Sequence, residues 1–97
     1  MAVMVLLEVT AKEGGGDGVV GAFREILPDT RKYDGFLDIV VHQNQDNRDN
    51  LVIVEKWETK AAYEKYLGWR TETGVIEQLV SACAGPPSIR YFDITDA

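Results

Sequence analysis

The stretch Leu51–Tyr66, LVIVEKWETKAAYEKY, changes its periodicity halfway and so specifies a strand followed at once by a helix. In its first half Leu51, Ile53, Glu55 and Trp57 fall on one face, and Val52, Val54 and Lys56 on the other, because successive side chains of a strand alternate. Thr59 is placed to cap the following helix, its hydroxyl taking an orphan backbone N–H. Lys60–Leu67 is built mostly of helix formers, with Tyr63, Tyr66 and Leu67 spaced to share one side. A carboxylate and an indole therefore point the same way, beside a helix that brings in two phenols. That arrangement can line a pocket, and it can equally make an ordinary core.

The flanking segments supply the rest of a sheet. Ala2–Lys12 is rich in β-branched residues; Val3, Val5, Leu7 and Val9 share one face, and the other is apolar for half its length, as expected of a central strand. Gly14-Gly15-Gly16-Asp17-Gly18 is a loop without the lysine or spacing of a phosphate-binding loop, and Asp17 is better read as a helix N-cap. A helix over Val19–Leu27 follows, with Val19, Phe23, Ile26 and Leu27 inward and Pro28 as its stop. Asp34-Gly35 reads as a tight turn into a strand at Phe36–Gln43. Alternation there puts Leu37, Ile39 and Val41 on one side and Phe36, Asp38, Val40 and His42 on the other. Asn44–Asn50 has the polarity of a hairpin loop. After the helix ending near Gly68, Arg70–Ala84 reads as a second helical piece with Val75, Ile76, Leu79, Val80 and Cys83 inward. Gly85-Pro86-Pro87 ends it, and Ser88–Ile94 is the last strand. The order β-α-β-β-α-β predicts a ferredoxin-like α+β fold: a four-stranded antiparallel sheet with helices on one face, in one domain over residues 1–97.

Composition narrows the partners. An apolar share of 45% and a charged share of 27% are those of a soluble globular chain. A net charge of −6 repels phosphate backbones and anionic lipid, so neither nucleic acid nor a membrane surface is expected as a partner. The opening residues lack a basic leader and a cleavage pattern, and no apolar run approaches the ~20 residues of a membrane span. A cytoplasmic protein is expected, with the single Cys83 as a buried free thiol on the apolar side of a helix. Helices on one face leave Val52, Val54 and their neighbours uncovered on the other. Such a patch is best closed by a second copy, sheet against sheet, as a two-fold homodimer.

Taken in order, these features resemble the antibiotic biosynthesis monooxygenase family of the dimeric α+β barrel group. The resemblance rests on the opening strand, the turn Tyr33-Asp34-Gly35-Phe36-Leu37, and the polar hairpin. It is strengthened by Val54-Glu55-Lys56-Trp57 running into the helix Thr59–Tyr66, and by Gly85-Pro86-Pro87 before the last strand. It implies a small dimer with a pocket in each subunit between sheet and helices. It also implies oxygenation of quinol-like aromatics without metal, flavin or haem. In such oxygenases an aromatic residue at the Trp57 position lines the pocket and a tyrosine on the next helix assists; Trp57 and Tyr63 occupy those places. Two positions depart from the pattern. The asparagine that quinone-forming members carry four residues before the tryptophan is Ile53 here, and the helix histidine nine residues after it is Tyr66. A haem role is not implied.

Cofactor-free oxygenation requires a base whose pKa is raised toward neutrality, a dry pocket and a donor for the developing oxyanion. Glu55 is one candidate base, since burial disfavours its charge. His42, the only imidazole, is another if its strand face points at the pocket. Tyr63 and Tyr66 are candidate oxyanion donors; Trp57, Phe23, Trp69 and Ile53 are candidate walls for a small aromatic or apolar ligand. Plainer roles stay open: Trp57 as a core aromatic with a local acceptor, Glu55 paired with a polar group of a neighbouring strand or with Arg90, His42 on the surface, and the tyrosines as packing. Three functions follow: the oxygenase, a non-catalytic binding module using the same pocket, or a structural dimer whose interior falls below the ~300 Å³ of usual ligand sites.

Overall fold

The computed structural model describes residues 2–97. Its elements are β1 (Val3–Thr10), α1 (Gly16–Thr30), β2 (Phe36–Gln43), β3 (Asn50–Trp57), α2 (Lys60–Glu72), α3 (Val75–Ser81) and β4 (Ser88–Asp93). The strands lie in the order β2-β3-β1-β4 and every neighbouring pair is antiparallel. This is the ferredoxin-like arrangement expected, with its second helical region in two pieces, α2 and α3. The two central strands bury alternate residues toward the helices: Val3, Val5, Leu7 and Val9 from β1, and Leu51, Ile53, Glu55 and Trp57 from β3. The core divides into an aliphatic cluster around Leu7, Phe23, Leu27, Leu51 and Ile53, and an aromatic one around Val5, Trp57, Tyr63 and Tyr66.

Several local expectations are corrected. Asp17 does not cap α1; it lies in the first turn, and the cap position is Gly15 with no side-chain bond. The carboxylate of Asp49, in the β2–β3 hairpin, does that work by accepting the Gly14 and Gly16 N–H groups at 3.0 and 2.9 Å. Pro28 does not stop α1, which runs on to Thr30; so near the helix end the missing N–H costs only one bond, to the carbonyl of exposed Arg24. In β2, an irregularity between Phe36 and Asp38 leaves Leu37 unpaired and 47% exposed. The extra residue reverses the alternation, so Phe36 rather than Leu37 packs on the helix side, against Trp57.

Finally, α2 does not end near Gly68. It continues to Glu72 and breaks at Gly74, whose φ of +84° suits glycine and ends the helix. Only Val75–Ser81 forms the last helix, none of its residues is fully buried, and Val80 is largely exposed. Cys83 is a buried free thiol as expected, but it pairs with Ala11 in an isolated β-bridge instead of sitting on a helix.

Candidate functional site

Between the sheet and the helices lies a hollow of about 230 Å³, lined by Phe23, Ile39, Glu55, Tyr63, Tyr66 and Arg70 among others. Next to it, between α1 and α3, is an equally apolar groove of about 350 Å³. Phe23, Ile26, Val75 and Leu79 border both spaces. The inner hollow alone is below the ~300 Å³ of usual ligand sites, and the two side by side exceed it.

Glu55 is the acid of the hollow. Strand alternation sends it inward between Ile53 and Trp57, and its register neighbours are Val5 and Ile39, so it is 3% exposed among apolar side chains. Burial pushes its carboxyl up from 4.5 to about 7; the hydrogen bond from Trp57 Nε1 to Oε1, at 3.1 Å, pulls the other way. Oε2 has no hydrogen-bond partner, yet no fully occluded side-chain oxygen or nitrogen among the described residues lacks one. Oε2 therefore meets open space. Arg90 does not pair with Glu55; it sits on the reverse face, 3.7 Å from Glu8.

Tyr63 and Tyr66 project from α2, three residues apart, and both are buried. Burial raises the Tyr63 hydroxyl far above its ordinary range, and the charge of Glu55, then Tyr91 and Tyr66, add to the effect. Tyr63 is thus held as a neutral phenol able to donate. Tyr66 differs: its hydroxyl is 2.7 Å from Thr30 Oγ1 and accepts from Arg70 Nε at 3.0 Å. Either hydroxyl can be the donor between Tyr66 and Thr30, so Tyr66 keeps a proton to donate to an oxyanion when Thr30 donates to it, and has none when the direction is reversed.

The remaining expected residues scatter. Trp57 faces the helices as anticipated and is completely buried, but it does not border the hollow. It stands behind the phenols, with ring centroids 5.7 Å from Tyr63 and 4.9 Å from Tyr66. Ile53 is sealed in the aliphatic cluster. Trp69 lies outside the hollow, stacked on Tyr33 at 5.3 Å. Phe23 does line it. His42 is exposed, and β2 alternation places it on the reverse face of the sheet, its Nδ1 3.2 Å from the Val52 carbonyl oxygen; as a base for this hollow it is ruled out by position.

Two residues that the sequence placed elsewhere join the site, Arg70 having been expected with Trp69 as a lid or a wet boundary at the helix end. Arg70 is 4% exposed and borders the hollow; its Nη2 donates to Ile26 O at 2.7 Å and to Thr30 Oγ1 at 3.0 Å. Thr30 is fully buried at the end of α1. Arg70 stands four residues after Tyr66 and seven after Tyr63, so helical spacing would have found it had the helix been carried past Gly68. Among the described residues, no group of three or more His, Cys, Asp or Glu side chains is placed to hold a metal ion.

A ferredoxin-like sheet with an acid and phenols enclosed beneath its helices defines a small α+β pocket protein. Residues 2–70 match the family model described as "Antibiotic biosynthesis monooxygenase", and the chain belongs to that family. No curated protein matches the chain. Solved structures share the fold. A conserved protein from Methanosarcina mazei Go1 superposes with TM-score 0.86 at 16% identity, covering 98% of this chain and 94% of its own. Rv0793 from Mycobacterium tuberculosis gives 0.85 at 15% identity, with 100% and 98% covered. A monooxygenase from the ActVA-Orf6 gene of Streptomyces coelicolor, in complex with nanaomycin D, gives 0.83 at 20% identity, with 99% and 89% covered. No described helix is long and apolar enough to cross a membrane.

Proposed function

We propose that the chain is a cofactor-independent monooxygenase that oxidises a small phenol or quinol with O₂ inside the hollow. The observation that carries this reading is Glu55: a buried carboxyl pushed up to about 7, with one oxygen unpaired, in the same hollow as the neutral phenol of Tyr63. Near pH 7 such a group takes a phenolic proton and can return it. The substrate anion is then electron-rich enough to reduce O₂ directly. A C–O bond forms at a ring carbon that bears hydrogen, ortho or para to the oxygen, and the peroxide takes up a proton to give a hydroperoxide. Loss of the C–H proton and cleavage of the O–O bond release one water and leave a second carbonyl, so phenol plus O₂ becomes quinone plus water. Tyr63 donates a hydrogen bond to the oxyanion while it carries charge, and the apolar walls keep bulk water from the intermediate. Family membership supports the reaction class, and a structural neighbour solved with nanaomycin D supports a small-molecule occupant for this fold.

Size favours the plainer readings, since an inner hollow below the ~300 Å³ of usual ligand sites is what a structural dimer would show. The inner hollow is about 230 Å³, room for one ring, so a larger occupant must reach past Phe23 toward the groove between α1 and α3. A binding module without turnover would use the same space. Oxygen uptake with a panel of hydroquinones separates the two: uptake that is lost in Glu55→Gln supports the enzyme, while tight binding with no uptake supports the module. We further propose that the protein works as a homodimer packed through the reverse face of the sheet, in the cytoplasm, where its buried lone thiol stays reduced.

A further inference from the structure

Arg70 is a cation buried without a counterion. No carboxylate among the described residues lies within ion-pairing distance of it; Glu8 and Arg90, on the other side of the sheet, form the salt bridge that is present. Its partners are neutral: the Tyr66 and Thr30 hydroxyls and the Ile26 carbonyl. A guanidinium has five N–H groups, and these contacts use those of Nε and Nη2. Nη1 keeps two N–H groups with no partner. Since no fully occluded polar side-chain atom among the described residues is left unsatisfied, Nη1 is not fully occluded, and Arg70 is one of the residues that line the hollow. The Trp69 ring lies against the guanidinium at 4.4 Å and fixes its plane from the outer side. Partial compensation comes from the C-terminal end of α1, where helix carbonyls carry negative charge. It leaves unpaired donors on a desolvated cation, an arrangement that ordinary packing avoids because a buried charge is costly unless fully compensated.

We infer that Arg70 is the anion-recognition group of the hollow, and that the occupant is an aromatic ring bearing a carboxylate as well as the oxidisable hydroxyl. This rests on reading the hollow as a substrate site. Glu55 and Arg70 border the same space without pairing with each other, so a ligand with both groups can present its hydroxyl to the acid and its carboxylate to the cation. The chain's net charge of −6 repels anions at long range, so recognition of one depends on a local cation such as this.

The test uses the full chain and two probes of the same shape, 2,5-dihydroxybenzoate and its methyl ester, titrated calorimetrically without oxygen so that binding is read apart from turnover. A hydrogen bond between charged groups predicts that the carboxylate binds the parent protein at least about tenfold more tightly than the ester. Equal binding, or tighter binding of the ester, overturns the inference. In Arg70→Lys the ammonium is drawn to the Ile26 carbonyl and the preference falls toward parity; an undiminished preference in the folded variant would remove Arg70 from the role. If Arg70→Lys does not fold, the comparison of acid with ester in the parent decides. A preference for the acid with no oxygen uptake leaves the anion site standing and removes the oxygenase reading; uptake with neutral quinols and no preference does the reverse.

Discussion

A carboxyl group held at about pH 7 by burial is a cost to the folded chain whenever it is ionised. For Glu55 the sign follows from its raised pKa. Between the ordinary value of 4.5 and about 7 the folded protein binds more protons than the unfolded one, so stability is greatest below that window and falls as pH rises through it. The full shift corresponds to about 3 kcal/mol, an upper bound. Glu55→Gln keeps an acceptor for the Trp57 N–H and cannot ionise. The variant is therefore expected to be more stable than the parent at pH 8, with the gap closing toward pH 4.5. Urea unfolding at both pH values checks this; a gap that does not change with pH would show that Glu55 is not held in a desolvated state. The same variant is the one expected to lose oxygen uptake, so a more stable, inactive protein separates a lost base from a lost fold. At this scale the sequence displayed Glu55 clearly, because strand alternation needs only the immediate neighbours. It did not display which oxygen or phenol stays free, since the commitment of Tyr66 depends on Thr30 and Arg70, distant from each other in the chain.

Elements were legible where a single periodicity ran unbroken. The faces of β1 and β3 follow directly from alternation, and Thr59 caps α2 with its side chain bonded to the Ala62 N–H. What local signals missed are the places where a distant segment decides. The start of α1 is set by Asp49, more than thirty residues away, whose two oxygens hold the Gly14 and Gly16 N–H groups. The approach is close: a Cβ on Gly16 would collide with the backbone carbonyl of Arg48. Asp17, one residue into the helix, looked like the cap because nothing in the local sequence points to the hairpin. Asp49→Ala should cost about 1 kcal/mol or somewhat more, the usual value of a lost N-cap with an added charge effect at the helix start. Asp49→Asn should retain most of the stability, since asparagine caps nearly as well. Chemical denaturation of the three proteins checks this order, and an Asp49→Ala protein as stable as the parent would show that the hairpin does not support α1. Carrying α2 past Gly68 brings Arg70 to the hollow, and carrying α1 past Pro28 brings Thr30 to Arg70. Both were hidden by the residue types that most often end helices.

On the scale of the molecule, the question is what covers the side of the sheet that carries no helix. Cα extents of 38 × 34 × 21 Å describe a slab of two layers, and its bare face is apolar at the centre. Register places Leu6 of β1 beside Val54 of β3, and Val54 beside Val40 of β2. Val40 and Phe92 are 47% and 38% exposed. Charged residues flank this row: Lys56 opposite Asp38, and Glu8 near Arg90. An apolar centre with a charged rim is the anatomy of a protein interface. A face of this breadth can supply the roughly 800 Å² per partner that a stable interface needs. With the helices occupying the opposite side, a second copy related by a two-fold axis would bury the row against itself, sheets about 10 Å apart. Val54 is at the centre and points away from the core, so Val54→Lys places charge in the interface while leaving the chain's own packing alone. The parent should sediment as a dimer and Val54→Lys as a folded monomer with unchanged circular dichroism. A parent chain that remains single at high concentration would leave the bare face without its second copy. Because Glu55, Tyr63 and Arg70 all lie on the helix side, the monomer should still bind its ring ligand; loss of both dimer and binding would mean that the second copy holds the hollow in shape.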